Sequence, residues 1–150
     1  MTTVYFMTPT KDKEKAQELM KFFEDKKIDV IYSSPFRSAV EMIREYGVEK
    51  EIPMFAVTEF AEIEQEVEPK ETLEEVEERM IDGLAMLANN EEGNTILAVT
   101  HPIALSTAIH FFDETFGEED TKRLQENAPC LVRFTLDGEI CKDIEEIKVM

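Results

Sequence analysis

The chain has 150 residues, 43% of them hydrophobic, and a formal net charge of −18 from 34 acidic and 16 basic side chains. That length suits a single domain, residues 1–150, with a full core, and the apolar fraction excludes a disordered chain. The charge argues against nucleic acid and anionic membrane as general partners, because such a field repels both. No apolar run reaches the length of a membrane span and the first residues do not read as a signal peptide, so a cytoplasmic location is expected.

Val4-Tyr5-Phe6 reads as the first strand and runs into Met7-Thr8-Pro9. Ala16, Leu19, Met20 and Phe23 then predict a helix over residues 12–26, its other face a solvated mixture of Lys and Glu. Ile28 to Tyr32, mostly β-branched and aromatic, is a buried strand. Ser34 is placed as the N-cap of the next helix, Pro35 as its first residue and Gly47 as its stop. Arg37 thus falls in the first helical turn, where the helix dipole favours anions over cations. An Arg there is either a solvated surface residue or one aimed, with free backbone N–H groups, at a bound anion.

A short strand is expected over residues 54–57, followed by an acidic, irregular excursion over 58–70. Thr72 and Glu75 form a capping box for a long helix whose apolar side carries Leu73, Val76, Met80, Leu84 and Leu87. Thr95 to Val99 is a nearly continuous apolar strand, as in a parallel sheet covered on both faces. It leads through Thr100-His101-Pro102 into a helix ending near Phe112. Two strands around Asp137-Gly138 finish the chain, and a two-residue turn there sets Cys141 opposite Phe134. No disulfide is expected between Cys130 and Cys141, and two cysteines without a histidine cluster make no zinc site, so neither metal nor cofactor is called for. The alternation of strands and helices predicts a three-layer α/β/α domain with a mostly parallel sheet. Ligands of such sheets bind outside the carboxyl ends of the strands, where Thr8, Arg37 and His101 fall.

Four segments resemble those of the histidine phosphatase (phosphoglycerate mutase-like) superfamily. Asp-Val-Ile-Tyr-Ser-Ser-Pro-Phe-Arg-Ser-Ala-Val-Glu is similar to its second signature, which implies that Arg37 grips a substrate phosphate. Ile96-Leu97-Ala98-Val99-Thr100-His101-Pro102 resembles its last signature, which implies that His101 contacts the transferring phosphoryl group. There Pro102 replaces the usual Gly and removes an N–H. Phe60-Ala61-Glu62-Ile63-Glu64 resembles the segment whose Glu donates a proton, a role that falls on Glu62. Asn127-Ala128-Pro129-Cys130 is similar to the entry into the final strands.

The front of the chain departs from this pattern. The family's first strand ends in Arg-His-Gly, whose His is the nucleophile. Here Met7 stands for the Arg, Thr8 for the nucleophile and Pro9 for the Gly. A neutral imidazole is a competent nucleophile near neutral pH, whereas a Thr hydroxyl needs a positioned base. Losing a covalent nucleophile costs on the order of a million-fold in kcat. The reading is a histidine phosphatase fold without phosphoryl transfer, with Arg37 and His101 forming a crevice for phosphate, a phosphorylated small molecule or a phosphorylated protein. Its rival is a phosphomonoesterase or phosphohistidine phosphatase working by altered chemistry through His101, Glu62 and Thr8, and a third reading is a plain interaction module whose acidic surface is the working part. His110, more than two turns beyond His101, is assigned to structure or surface.

Overall fold

Alternation along the first strand sets up the whole molecule. In the computed structural model, which describes residues 1–149, β1 (Thr2–Met7) sends Val4 and Phe6 into one core and Tyr5 and Met7 into another. Both cores are closed by helices, so β1 is central and apolar on both faces. It pairs in parallel with β4 (Thr95–Val99) and antiparallel with β5 (Leu131–Asp137). The remaining strands are β2 (Val30–Ser33), β3 (Met54–Ala56) and β6 (Ile140–Ile147), and the sheet order is β3-β2-β4-β1-β5-β6. The first four strands of that order are mutually parallel, as expected for a mostly parallel three-layer domain.

Helices α1 (Lys13–Lys21) and α2 (Arg37–Glu49) cover the Tyr5 and Met7 face. Helices α3 (Leu73–Asn90), α4 (Pro102–Phe112) and α5 (Glu118–Glu126) cover the Val4 and Phe6 face. Phe6 anchors that second core, meeting Phe60 and Phe134 edge to face with ring centroids 5.3 Å apart in each pair. The capping box holds: Glu75 N donates to Thr72 Oγ1 at 3.2 Å, and Thr72 N to Glu75 Oε1 at 3.0 Å. Gly83 lets α3 approach the short 3-10 turn at Thr58–Phe60, since a Cβ there would lie 2.6 Å from Phe60 Cε1.

Several boundaries differ from the sequence expectation. Helix α1 stops at Lys21 rather than near residue 26, because Phe22 and Phe23 tighten into i→i−3 turns that lay both rings against Tyr5. Helix α2 begins at Arg37 with Phe36 as its cap residue, so Ser34 and Pro35 precede the helix. Gly47 lies inside α2, where a Cβ would press within 3.2 Å of Ile31 Cδ1. The helix closes later, through Glu51 at a φ of 56° and an Ile52 N–H to Gly47 carbonyl bond of 2.9 Å. β3 ends one residue before the expected Val57. Helix α5 has no counterpart in the sequence expectation, because its single buried residue, Leu124, leaves almost no apolar period to read. In the hairpin, Asp137 pairs with Ile140 and the register shifts between Thr135 and Leu136, which sets Cys141 opposite Leu136 instead of Phe134. Both thiols are free. No helix among the described residues is long and apolar enough to cross a membrane.

Candidate functional site

The carboxyl ends of β1, β4 and β2 are laced together by backbone bonds. Thr100 N donates to the Met7 carbonyl at 3.0 Å, and Ser34 N to the Val99 carbonyl at 2.8 Å. This rim carries Thr8, His101 and Ser34 side by side, and the N-termini of α2 and α4 open beside it. Thr8 and His101 therefore occupy the strand ends to which the sequence assigned them.

Thr8 is 0% exposed, and its hydroxyl accepts the Cys130 N–H at 2.8 Å while its own N–H reaches the Cys130 carbonyl at 3.1 Å. The residue thus extends the β1–β5 hydrogen-bond ladder by one step. No hydrogen bond joins it to His101 among the described residues. Met7 is fully buried under α1 and α2.

His101 is 6% exposed, and its Nε2 lies 2.8 Å from Ser34 Oγ, which also accepts the Phe36 N–H at 3.1 Å. Phe36 rests on the imidazole, with ring centroids 5.0 Å apart. Burial, helped by the charge of Arg79, pushes the His101 pKa down to about 4, so the ring is neutral at pH 7. A hydroxyl beside a neutral imidazole is a nucleophile and base in outline. Ser34, however, has no exposed surface, and its contacts fix the orientation of His101.

Glu62 turns toward the same rim from the acidic excursion. Its Oε1 accepts the Ala104 N–H at 2.8 Å and its Oε2 the Ile103 N–H at 3.0 Å, so the carboxylate caps α4. The first turn of α4 is then fully accounted for: Pro102 has no N–H, Ile103 and Ala104 bind Glu62, and Leu105 N bonds the His101 carbonyl. Burial raises the Glu62 pKa, against the opposing pull of those N–H groups and of Arg79.

Arg79, which no sequence motif singled out, holds this excursion in place. It donates through Nη1 to the carbonyls of Glu59 and Ala61 and through Nη2 to the Glu62 carbonyl, at 2.9, 2.6 and 3.1 Å. Its Nε and Nη2 also grip both oxygens of Glu71, at 2.8 and 2.9 Å. All five donors of its guanidinium fork are engaged. A shallow depression of about 290 Å³ here is lined by Phe36, Glu59, Glu62, Glu71 and Arg79. A larger groove of about 1150 Å³ lies between α1 and α2; it reaches Arg37 but is lined by none of Thr8, Glu62 and His101.

Arg37 does not reach the crevice. Its side chain is 90% exposed and its Nε bonds Glu41 Oε1 at 2.7 Å. The cause is helical: α2 turns Ala39, Ile43 and Tyr46 to the sheet, and Arg37, two residues before Ala39, points about 200° away. His110, at the far end of α4, bonds the Phe116 carbonyl through Nδ1 at 2.8 Å and is structural. No group of three or more metal-ligating side chains is found among the described residues.

A sheet of this order, with a histidine and a glutamate at its carboxyl edge, is the phosphoglycerate mutase-like fold. Phosphoglycerate mutase from Bacillus anthracis superposes with a TM-score of 0.78 at 16% identity, covering 97% of this chain and 92% of its own. YhfR of Bacillus stearothermophilus gives 0.77 at 18% identity, covering 94% of each chain. The alpha-ribazole phosphatase of Shigella flexneri gives 0.72 at 14% identity, covering 93% of each. No curated protein matches the chain by sequence. The model of the histidine phosphatase superfamily (branch 1) matches residues 63–142, more than half of the chain. The chain belongs to that superfamily. The matched segment includes His101 and leaves out Thr8 and Arg37.

Proposed function

We propose that this protein keeps the histidine phosphatase fold without its phosphoryl transfer and acts by binding. The observation that carries this reading is Thr8: where the resemblance calls for the nucleophile stands a fully buried hydroxyl committed to the Cys130 N–H. A hydroxyl becomes a nucleophile only with a base in reach, and His101 is engaged with Ser34 instead. The groups that would carry a transferring phosphate are reduced as well. Met7 brings no charge, and the start of α4 has no free N–H.

What the rim retains for a phosphorylated ligand is the start of α2. The N–H groups of Arg37 and Ser38 have no protein acceptor among the described residues, and the Arg37 guanidinium can rotate away from Glu41 toward them. In a chain of net charge −18 such a site is weak, with a Kd of about 1 mM, or roughly −4 kcal/mol.

Incubation with a small-molecule phosphodonor, followed by intact-mass measurement, tests the loss of transfer. Unmodified protein is expected, and a phosphorylated species that disappears in His101→Ala overturns the proposal. Phosphate titration by NMR should shift Arg37 and Ser38, and Arg37→Ala should remove those shifts.

A further inference from the structure

Residues 1–50 carry nine basic and nine acidic side chains, whereas 51–150 carry seven basic and 25 acidic, so the entire net charge lies in the second segment. Within that segment α4 ends in two exposed aromatics, Phe111 at 51% and Phe112 at 36%. Their rings meet edge to face at 5.1 Å, and Phe112 is backed by the buried Phe134 at 6.4 Å, so the pair is held against the core. The chain that follows supplies Asp113, Glu114, Glu118, Glu119 and Asp120 before its first cation, Lys122. The His110 bond to the Phe116 carbonyl and two bonds from Thr115 to Asp113 Oδ1 hold the connecting loop against the last turn of α4. Because α4 starts at the carboxyl edge of the sheet, this aromatic end lies at the opposite edge, away from His101.

Exposed rings held on a rigid support and rimmed by charge mark a docking surface. The charge selects the occupant. An aromatic face attracts a guanidinium or ammonium group, and carboxylates around it complete the neutralisation. Two copies meeting here would bring their acidic rims together, and an anionic lipid surface would be repelled. We infer that this end of the molecule docks a basic segment of a partner protein, with an Arg or Lys over Phe111 and the carboxylates of Asp113, Glu114, Glu118 and Glu119 around it. The inference does not depend on the phosphate reading.

A short synthetic peptide of alternating Arg and Leu, labelled for fluorescence anisotropy against the full-length protein, tests it. Binding should weaken with salt, and the matching Glu and Leu peptide should not bind. Phe111→Asn should weaken the Arg peptide about tenfold, Phe111→Tyr should keep the affinity, and Val48→Asn, an exposed site on α2, should leave it unchanged. Equal binding to Phe111→Asn and wild type would reduce the attraction to net charge and overturn the assignment. Sedimentation showing a dimer that Phe111→Asn dissolves would give the face to a second copy and overturn it too.

Discussion

Acid should destabilise this protein through His101, and the size of the effect follows from the burial of that side chain. The folded imidazole has its pKa lowered to about 4, against 6.5 for the ordinary side chain. A group whose folded pKa is depressed contributes stability above its unfolded value and loses it as the pH falls toward the folded one. The window is therefore from about pH 6.5 down to about pH 4, and at its lower end the loss is about 3 kcal/mol. Carboxylates titrate over part of the same range, so the informative quantity is a difference between two proteins. His101→Gln keeps an amide able to reach Ser34 Oγ and has no proton to gain. Urea unfolding at about pH 7 and about pH 4 should show wild type losing about 3 kcal/mol more than this variant. Parallel pH profiles, or a His101 imidazole resonance, assigned by its absence from His101→Gln, that titrates near pH 6.5, would refute the buried neutral histidine.

Arg79→Met should cost about 3 kcal/mol in urea unfolding, since it strands the half-buried Glu71 carboxylate and frees three carbonyls of the excursion. Arg79 holds the Glu71 pKa down, which adds stability above the ordinary carboxylate range that fades as pH falls through the folded value; the variant should lack that acid limb. Thr8→Val should cost about 1–3 kcal/mol by leaving the Cys130 N–H without its acceptor, and hydrogen exchange at that amide should accelerate. Gly83→Ala should lower thermal stability by about 1–3 kcal/mol, because its Cβ meets the Phe60 ring at 2.6 Å.

Much of the frame was legible because strong local signals and tertiary packing agree. The apolar run read at Ile28 to Tyr32 holds a central strand, shifted to Val30–Ser33, Thr95–Val99 is another, and the Thr72 and Glu75 box starts α3 where its residues place it. Thr8 and His101 could be set on one rim because parallel strands end at the same edge. The direction of Arg37 was not legible: proximity along the chain placed it near the crevice, while the pitch of α2 carried its side chain to Glu41. Arg79 was invisible for a different reason. Its partners are mostly backbone carbonyls of a loop with no regular pattern, so nothing in the residue types announces them. Gly47 misled because a glycine inside a helix, chosen for close packing on Ile31, looks like a glycine that ends one.

Turnover of an aryl phosphate by purified wild-type protein, beside its His101→Ala and Thr8→Ala variants, tests the proposed absence of phosphoryl transfer most directly. A buried, hydrogen-bonded Thr8 and a neutral, occupied His101 predict the same background rate in all three, on the order of a million-fold below a working covalent nucleophile. A rate well above background in wild type that either substitution abolishes would contradict that prediction.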